Sequence, residues 1–140
     1  MDLERFKSLY ENLSKNLEEI ESLVKIPELL TKPECPKIIE KIKYLFYSVT
    51  KSLVDIGHSI ILEKEFRDPL NRADIFISLA EQDIILSSVV PGVKKAALSL
   101  PKLNNYQHKE IIELVTNSIT DMKKCLDSFS VYFSLKDKQI

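Results

Sequence analysis

Three stretches of this 140-residue chain place large apolar side chains at alternating intervals of three and four. The first runs Leu3, Phe6, Tyr10, Leu13, Leu17, Ile20 and Val24. The second runs Ile39, Ile42, Phe46, Val49, Leu53, Ile56 and Ile60, and the third Ile112, Val115, Ile119, Met122, Leu126, Phe129 and Phe133. Such spacing keeps every apolar residue on one stripe of an α-helix and would scatter them over both faces of a strand. No helix can bury its stripe alone, so the three must pack against one another. Two glycines, Gly57 and Gly92, are too few for many short turns and build no Gly-rich phosphate loop. The expected fold is all-α: an up-and-down helical bundle of three long helices plus two shorter ones, in one domain over residues 1–140. That length can bury a real core without disulfides or metal.

Punctuation sets the expected boundaries. Asp2 and Glu4 suit the positive end of the first helix, and Pro27 stops it. Ile26 to Pro36 carries three prolines and reads as a connector. A helix from Lys37 to Glu63 would be on the order of 40 Å long and, widened by Ile38 and Leu45, would face several neighbours. Asn71 with Asp74 three residues on predicts the start of a short helix bearing Ile75, Phe76 and Leu79. Ile84 and Ile85 form an apolar plug, and Ser87 or Ser88 caps a fourth helix carrying Val89, Val90, Val93, Ala97 and Leu100, which Pro101 ends. Asn104 with Gln107, or Asn105 alone, is the expected cap of the last helix. Gly57 inside the long helix costs about 1 kcal/mol relative to Ala, so another helix is expected to approach there.

A net charge of -1, with 29% charged residues, argues against nucleic-acid binding through bulk charge. Apolar runs are interrupted well short of the roughly 20 residues that span a membrane, so none is expected to do so. Cys35 and Cys125 stand apart in no C-x-x-C pair, and no signal peptide precedes the first helix, which reads as a reducing cytoplasm. Asp55 and His58 share a helix face, but a di-iron bundle needs a second such motif and two further carboxylates. They read as a buried, hydrogen-bonded pair, and no metal or cofactor is expected. The lysine clusters Lys94-Lys95, Lys102 and Lys123-Lys124, and the acidic run Glu18 to Glu21, read as solvated faces.

Leu98 to His108 is the joint between the fourth pattern and the last, and it gathers Lys102, Asn104, Asn105, Tyr106 and His108. At a helix start these can form a polar site favouring an anion such as phosphate. The competing reading is plain structure: an asparagine cap, a packed Tyr106 and a solvated His108.

Nearly all of the chain resembles the HepT-like proteins of the HEPN superfamily, partners of minimal nucleotidyltransferases in prokaryotic toxin–antitoxin pairs. The likeness lies in the leading helix, in Ser52 to Ile61 of the central helix, in Arg67 to Leu79, in Glu81 to Ile85, and in Tyr106 to Leu126. It implies a bundle that homodimerises around a shared cleft, a nucleotidyltransferase partner, and RNA as the substrate class. Active members are metal-independent ribonucleases whose motif is an arginine, usually followed by asparagine, with a histidine four to six residues on. Arginine steadies the phosphate in transit and histidine moves a proton during attack by the ribose 2′-hydroxyl.

This chain departs from that motif. If His108 is the histidine, Leu103 and Lys102 occupy the arginine's place; if Gln107 onward starts the last helix downstream, the motif falls on Leu100 to Asn105 and both residues are missing. Lys102 carries charge without arginine's bidentate fork. The resemblance therefore implies a catalytically degenerate member whose Asn104, Asn105 and Tyr106 contact RNA or a partner. The alternative is a divergent ribonuclease with His108 as acid or base and Lys102 as phosphate contact. A plain helical interaction module is the third reading.

Overall fold

The computed structural model describes residues 1–138, with side chains through 134; residues 139–140 of the expected domain lie outside it. Five α-helices follow one another: α1 Leu3–Val24, α2 Cys35–Lys64, α3 Arg72–Glu81, α4 Val90–Ser99 and α5 His108–Lys138. Three 3-10 segments, Leu29–Thr31, Ser87–Val89 and Leu100–Asn105, join them, and no strand occurs among the described residues.

Helix α1 starts where the Asp2 side chain accepts from the Arg5 N–H at 2.8 Å. It buries Phe6, Leu13, Leu17 and Ile20. The connector expected up to Pro36 is shorter than its prolines suggest: α2 begins at Cys35, with Pro36 in its first turn, where a missing N–H costs nothing. All seven seam residues of α2 are buried, each contributing roughly 1.5–3 kcal/mol against the entropy of ordering the chain. At 30 residues α2 is about 45 Å long.

Direction follows from named contacts. The Phe6 and Phe133 rings stack at 4.4 Å, and Lys123 reaches Glu21 at 2.9 Å, so α1 and α5 run antiparallel. Cys35 meets His108 at 3.6 Å, and a Cβ on Gly57 would lie 3.7 Å from Phe129, so α2 and α5 run parallel. Gly57 is where α3 presses on α2: the same Cβ would stand 2.9 Å from both Ile75 and Leu79. Gly92 plays this part between α4 and α5, beneath Asp121.

Helix α3 is held at both ends. The Asn71 side chain accepts from the Asp74 N–H at 2.9 Å, as the sequence predicts. Arg67, in the preceding linker, donates to Asp74 at 2.7 and 2.9 Å and to Glu81 at 3.1 and 3.2 Å, so one guanidinium spans two turns of the helix. These bonds, then the Leu70 N–H, hold the Asp74 carboxyl down to about pH 2.

Several local expectations change. Neither Ser87 nor Ser88 caps α4; they form a 3-10 turn that runs into it without a side-chain cap. Ile111 is buried and Ile112 half-buried, so the α5 stripe starts one residue earlier and is widened by Leu114 and Cys125 to meet three neighbours. The acidic run on α1 is an interhelical strip, with Glu19 on Lys41 of α2 at 2.6 Å and Glu21 on Lys123 of α5. Asp55 and His58 are exposed, share no hydrogen bond, and are not a buried pair.

Candidate functional site

The joint is continuous helix of a tighter pitch. Ser99 donates from Oγ to the Ala96 carbonyl at 2.6 Å as α4 ends, and Pro101 enters the first turn of the 3-10 segment, where it needs no donor. A 3-10 helix repeats every three residues, so Leu100 and Leu103 fall together on the buried side. Pro101, Lys102, Asn104 and Asn105 consequently face out.

This packing also settles the cap of α5. Asn104 and Asn105 belong to the 3-10 segment and cap nothing; burial of Leu100 and Leu103 carries the helical turn past them. Tyr106 is extended, and Gln107 takes the cap position: its N–H is met by Glu110 Oε1 at 2.9 Å, and its carbonyl accepts from Ile111 at 3.0 Å. The polar start predicted at Asn104 with Gln107 is thus displaced by three residues, to Gln107 with Glu110.

The residues proposed for chemistry are distributed over three places. Asn104 lines a hollow of about 270 Å³ against α2, with Glu40, Lys43, Tyr44, Tyr47, Leu100 and Leu103. Tyr106 is half-buried and lines another of about 220 Å³ between α4 and α5, with Lys95, Glu110 and Glu113. His108, though exposed, directs Nδ1 to within 3.6 Å of the buried Cys35 Sγ. Lys102 and Asn105 are exposed, and no hydrogen bond or ion pair joins Lys102 to His108.

Sequence reasoning missed what lies across from the joint. Tyr47 and Leu100 also border a second hollow, of about 480 Å³, with Asn71, Arg72, Ala73, Ala97, Leu98 and Pro101. The two hollows form one groove between α2, the start of α3 and the joint. Tyr44 and Tyr47 fall off the α2 seam, and two large aromatics on an otherwise polar face were the available signal. Cys35, the first residue of α2, stands alone in the sequence because its partner is 73 residues away. Cys125 differs: burial pushes its thiol far above the ordinary range and leaves it a small apolar filler. Among the described residues no three His, Cys, Asp or Glu side chains converge as metal ligands.

No family model matches the chain, and no curated protein sequence does. Solved structures do. Two mutant forms of the toxin–antitoxin MntA–HpeT align with TM-scores of 0.76 and 0.74, each at 12% identity over 90% of this chain and 98% and 97% of theirs. The Bacillus subtilis protein YutE, described as a cytosolic protein of unknown function, aligns at 0.73 and 15% identity over 93% of this chain and 92% of its own. Identity at this level speaks for the fold. No helix described is long and apolar enough to cross a membrane. An all-α bundle with these helices in this order, matched almost end to end, is the fold of a HepT-like protein.

Proposed function

We propose that this chain is a HepT-like HEPN protein, one domain over residues 1–140, that acts by binding rather than by cutting RNA. It works in the cytoplasm as a homodimer and as the partner of a minimal nucleotidyltransferase in a toxin–antitoxin-type system. The observation that carries this reading is the joint. Where active relatives hold an arginine and a histidine, this chain has a 3-10 turn packed on Leu100 and Leu103, with Pro101, Lys102, Asn104 and Asn105 outside. The nearest histidine, His108, is directed to Cys35, with no arginine beside it. In-line attack by a 2′-hydroxyl needs a proton acceptor and a cation converging on one phosphate, and the missing arginine argues against it here.

Asn104, Asn105 and Tyr106 remain as the outward polar contacts for a partner or for RNA. The likeness to toxin–antitoxin MntA–HpeT structures supports the nucleotidyltransferase assignment. Purified protein incubated with total RNA is expected to leave it intact, with His108→Ala and Lys102→Ala indistinguishable from wild type. Cleavage by wild type that either substitution abolishes would sink the non-cleaving reading and install the divergent ribonuclease. A minimal nucleotidyltransferase gene is expected beside this one, its absence would count against the partner reading, and co-expression of the two is expected to yield one co-purifying complex.

A further inference from the structure

Cys35 and His108 form a nucleophile and base pair for which binding a partner has no use. The first opens α2 and the second opens α5, 73 residues away, and the parallel run of these two long helices sets their first turns side by side. The Cys35 Sγ and the His108 Nδ1 stand 3.6 Å apart, a hydrogen-bond distance for sulfur. With Nδ1 unprotonated the thiol donates to it, and the imidazole can take that proton. Helix starts favour negative charge nearby, and this sulfur lies at two of them, so the anion left behind is supported where it forms. Access is graded: His108 is exposed, while Cys35 is 3% exposed, which admits a reagent close to water in size and no bulky one. Cys125 supplies the contrast within the same chain, being wholly enclosed on α5 with burial alone acting on its thiol.

We propose that Cys35 is a site of reversible oxidation by hydrogen peroxide, with His108 moving the proton. His108 takes the proton from Sγ, and the sulfur attacks one peroxide oxygen. An S–O bond forms as the O–O bond breaks. The sulfur gives up two electrons, and the departing oxygen leaves as hydroxide, which becomes water with the proton from His108. The product is a sulfenic acid, which two equivalents of a small thiol return to the thiol, with one disulfide and one water formed. An oxygen added to a buried sulfur 3.6 Å from an imidazole must displace that ring. Oxidation therefore loosens the first turn of α5 from that of α2 until a thiol reverses it. No partner takes part, so the proposal stands apart from the binding reading above.

Full-length protein treated with a small excess of hydrogen peroxide, quenched at intervals and mapped by peptide mass, tests this. Wild type is expected to gain one oxygen at Cys35 well before Cys125. His108→Ala and His108→Gln should each slow oxidation at Cys35 on the order of 100-fold, the lower end for a positioned proton-transfer group, since neither replacement accepts the proton. Free imidazole should restore part of the rate to His108→Ala. His108 is exposed, so both variants should fold, with the urea midpoint as control. A side chain that merely covered the sulfur would act in the opposite sense, because its removal would speed oxidation. A His108→Ala rate equal to or above wild type thus overturns the proposal, as does a wild-type rate kept by His108→Gln. Oxidation of Cys125 as fast as Cys35 overturns the site itself.

Discussion

Gly92 offers the most direct check on how closely α4 is held against α5. A Cβ added there would stand 2.7 Å from the Cβ of Asp121 and 2.8 Å from its Cγ. The first of these atoms is fixed to the α5 backbone, so rotating the Asp121 side chain cannot relieve the contact. Reaching an ordinary 3.4 Å from 2.7 Å needs about 0.7 Å of movement, which must come from α4 parting from α5. Overpacking of this kind costs roughly 1–3 kcal/mol, while replacing glycine by alanine in a helix returns about 1 kcal/mol. Gly92→Ala is therefore expected to lose on the order of 1 kcal/mol, read as a lower urea midpoint at unchanged slope. The test of cause is a double-mutant cycle with Asp121→Gly, which removes all the clashing atoms: the two losses should combine to clearly less than their sum. Additive losses, or a Gly92→Ala variant more stable than wild type, would show that the two helices do not touch here.

Acid unfolding should report on the clamp over α3. The Asp74 carboxyl titrates at about 2 in the fold, against 3.8 ordinarily, because Arg67 and then the Leu70 N–H bond its charged form. A depressed carboxylate contributes fully above its unfolded value and loses its contribution as pH falls through the folded one. Asp74→Asn should thus flatten the stability profile between roughly pH 4 and pH 2, and an unchanged slope there would remove Asp74 from the acid response. Glu65 ends α2 at φ 55, where its N–H and that of Phe66 both close on the Ile61 carbonyl. Glycine takes that conformation without strain, so Glu65→Gly should raise stability by about 0.5–1 kcal/mol in urea titration, and a lower midpoint would give the Glu65 side chain a role of its own.

The long helices were legible because burial and periodicity coincide in them: every seam residue read from α2 is buried, as are Val115 through Phe133 on α5. The ends were less so. Asn104 and Asn105 have strong capping chemistry, yet Leu100 and Leu103 outrank them, since burying two leucines outweighs a cap of about 1 kcal/mol. Ser87 and Ser88 lose to the 3-10 turn that buries Val89 in the same way. Glu19, Glu21 and Lys123 looked solvated because nothing local shows that α1 meets both α2 and α5. The groove at the joint was invisible for a related reason: Tyr44, Arg72 and Leu98 come from three segments, and neither periodicity nor spacing brings them together.

The pairing of α1 with α5 also bears on the order in which the chain can fold. Phe6 packs on Phe133, and Glu21 pairs with a lysine 102 residues later. Helices α2 and α3, and α4 with α5, can find each other across short connections, whereas closing the loop between the first and last helices costs entropy that grows with its length. The part of the α1 stripe that packs on α5 therefore stays uncovered, even with α2 in place, until the far end of the domain docks on it. Charges such as Glu18, Glu19 and Glu21 beside an uncovered apolar stripe disfavour its association with other chains.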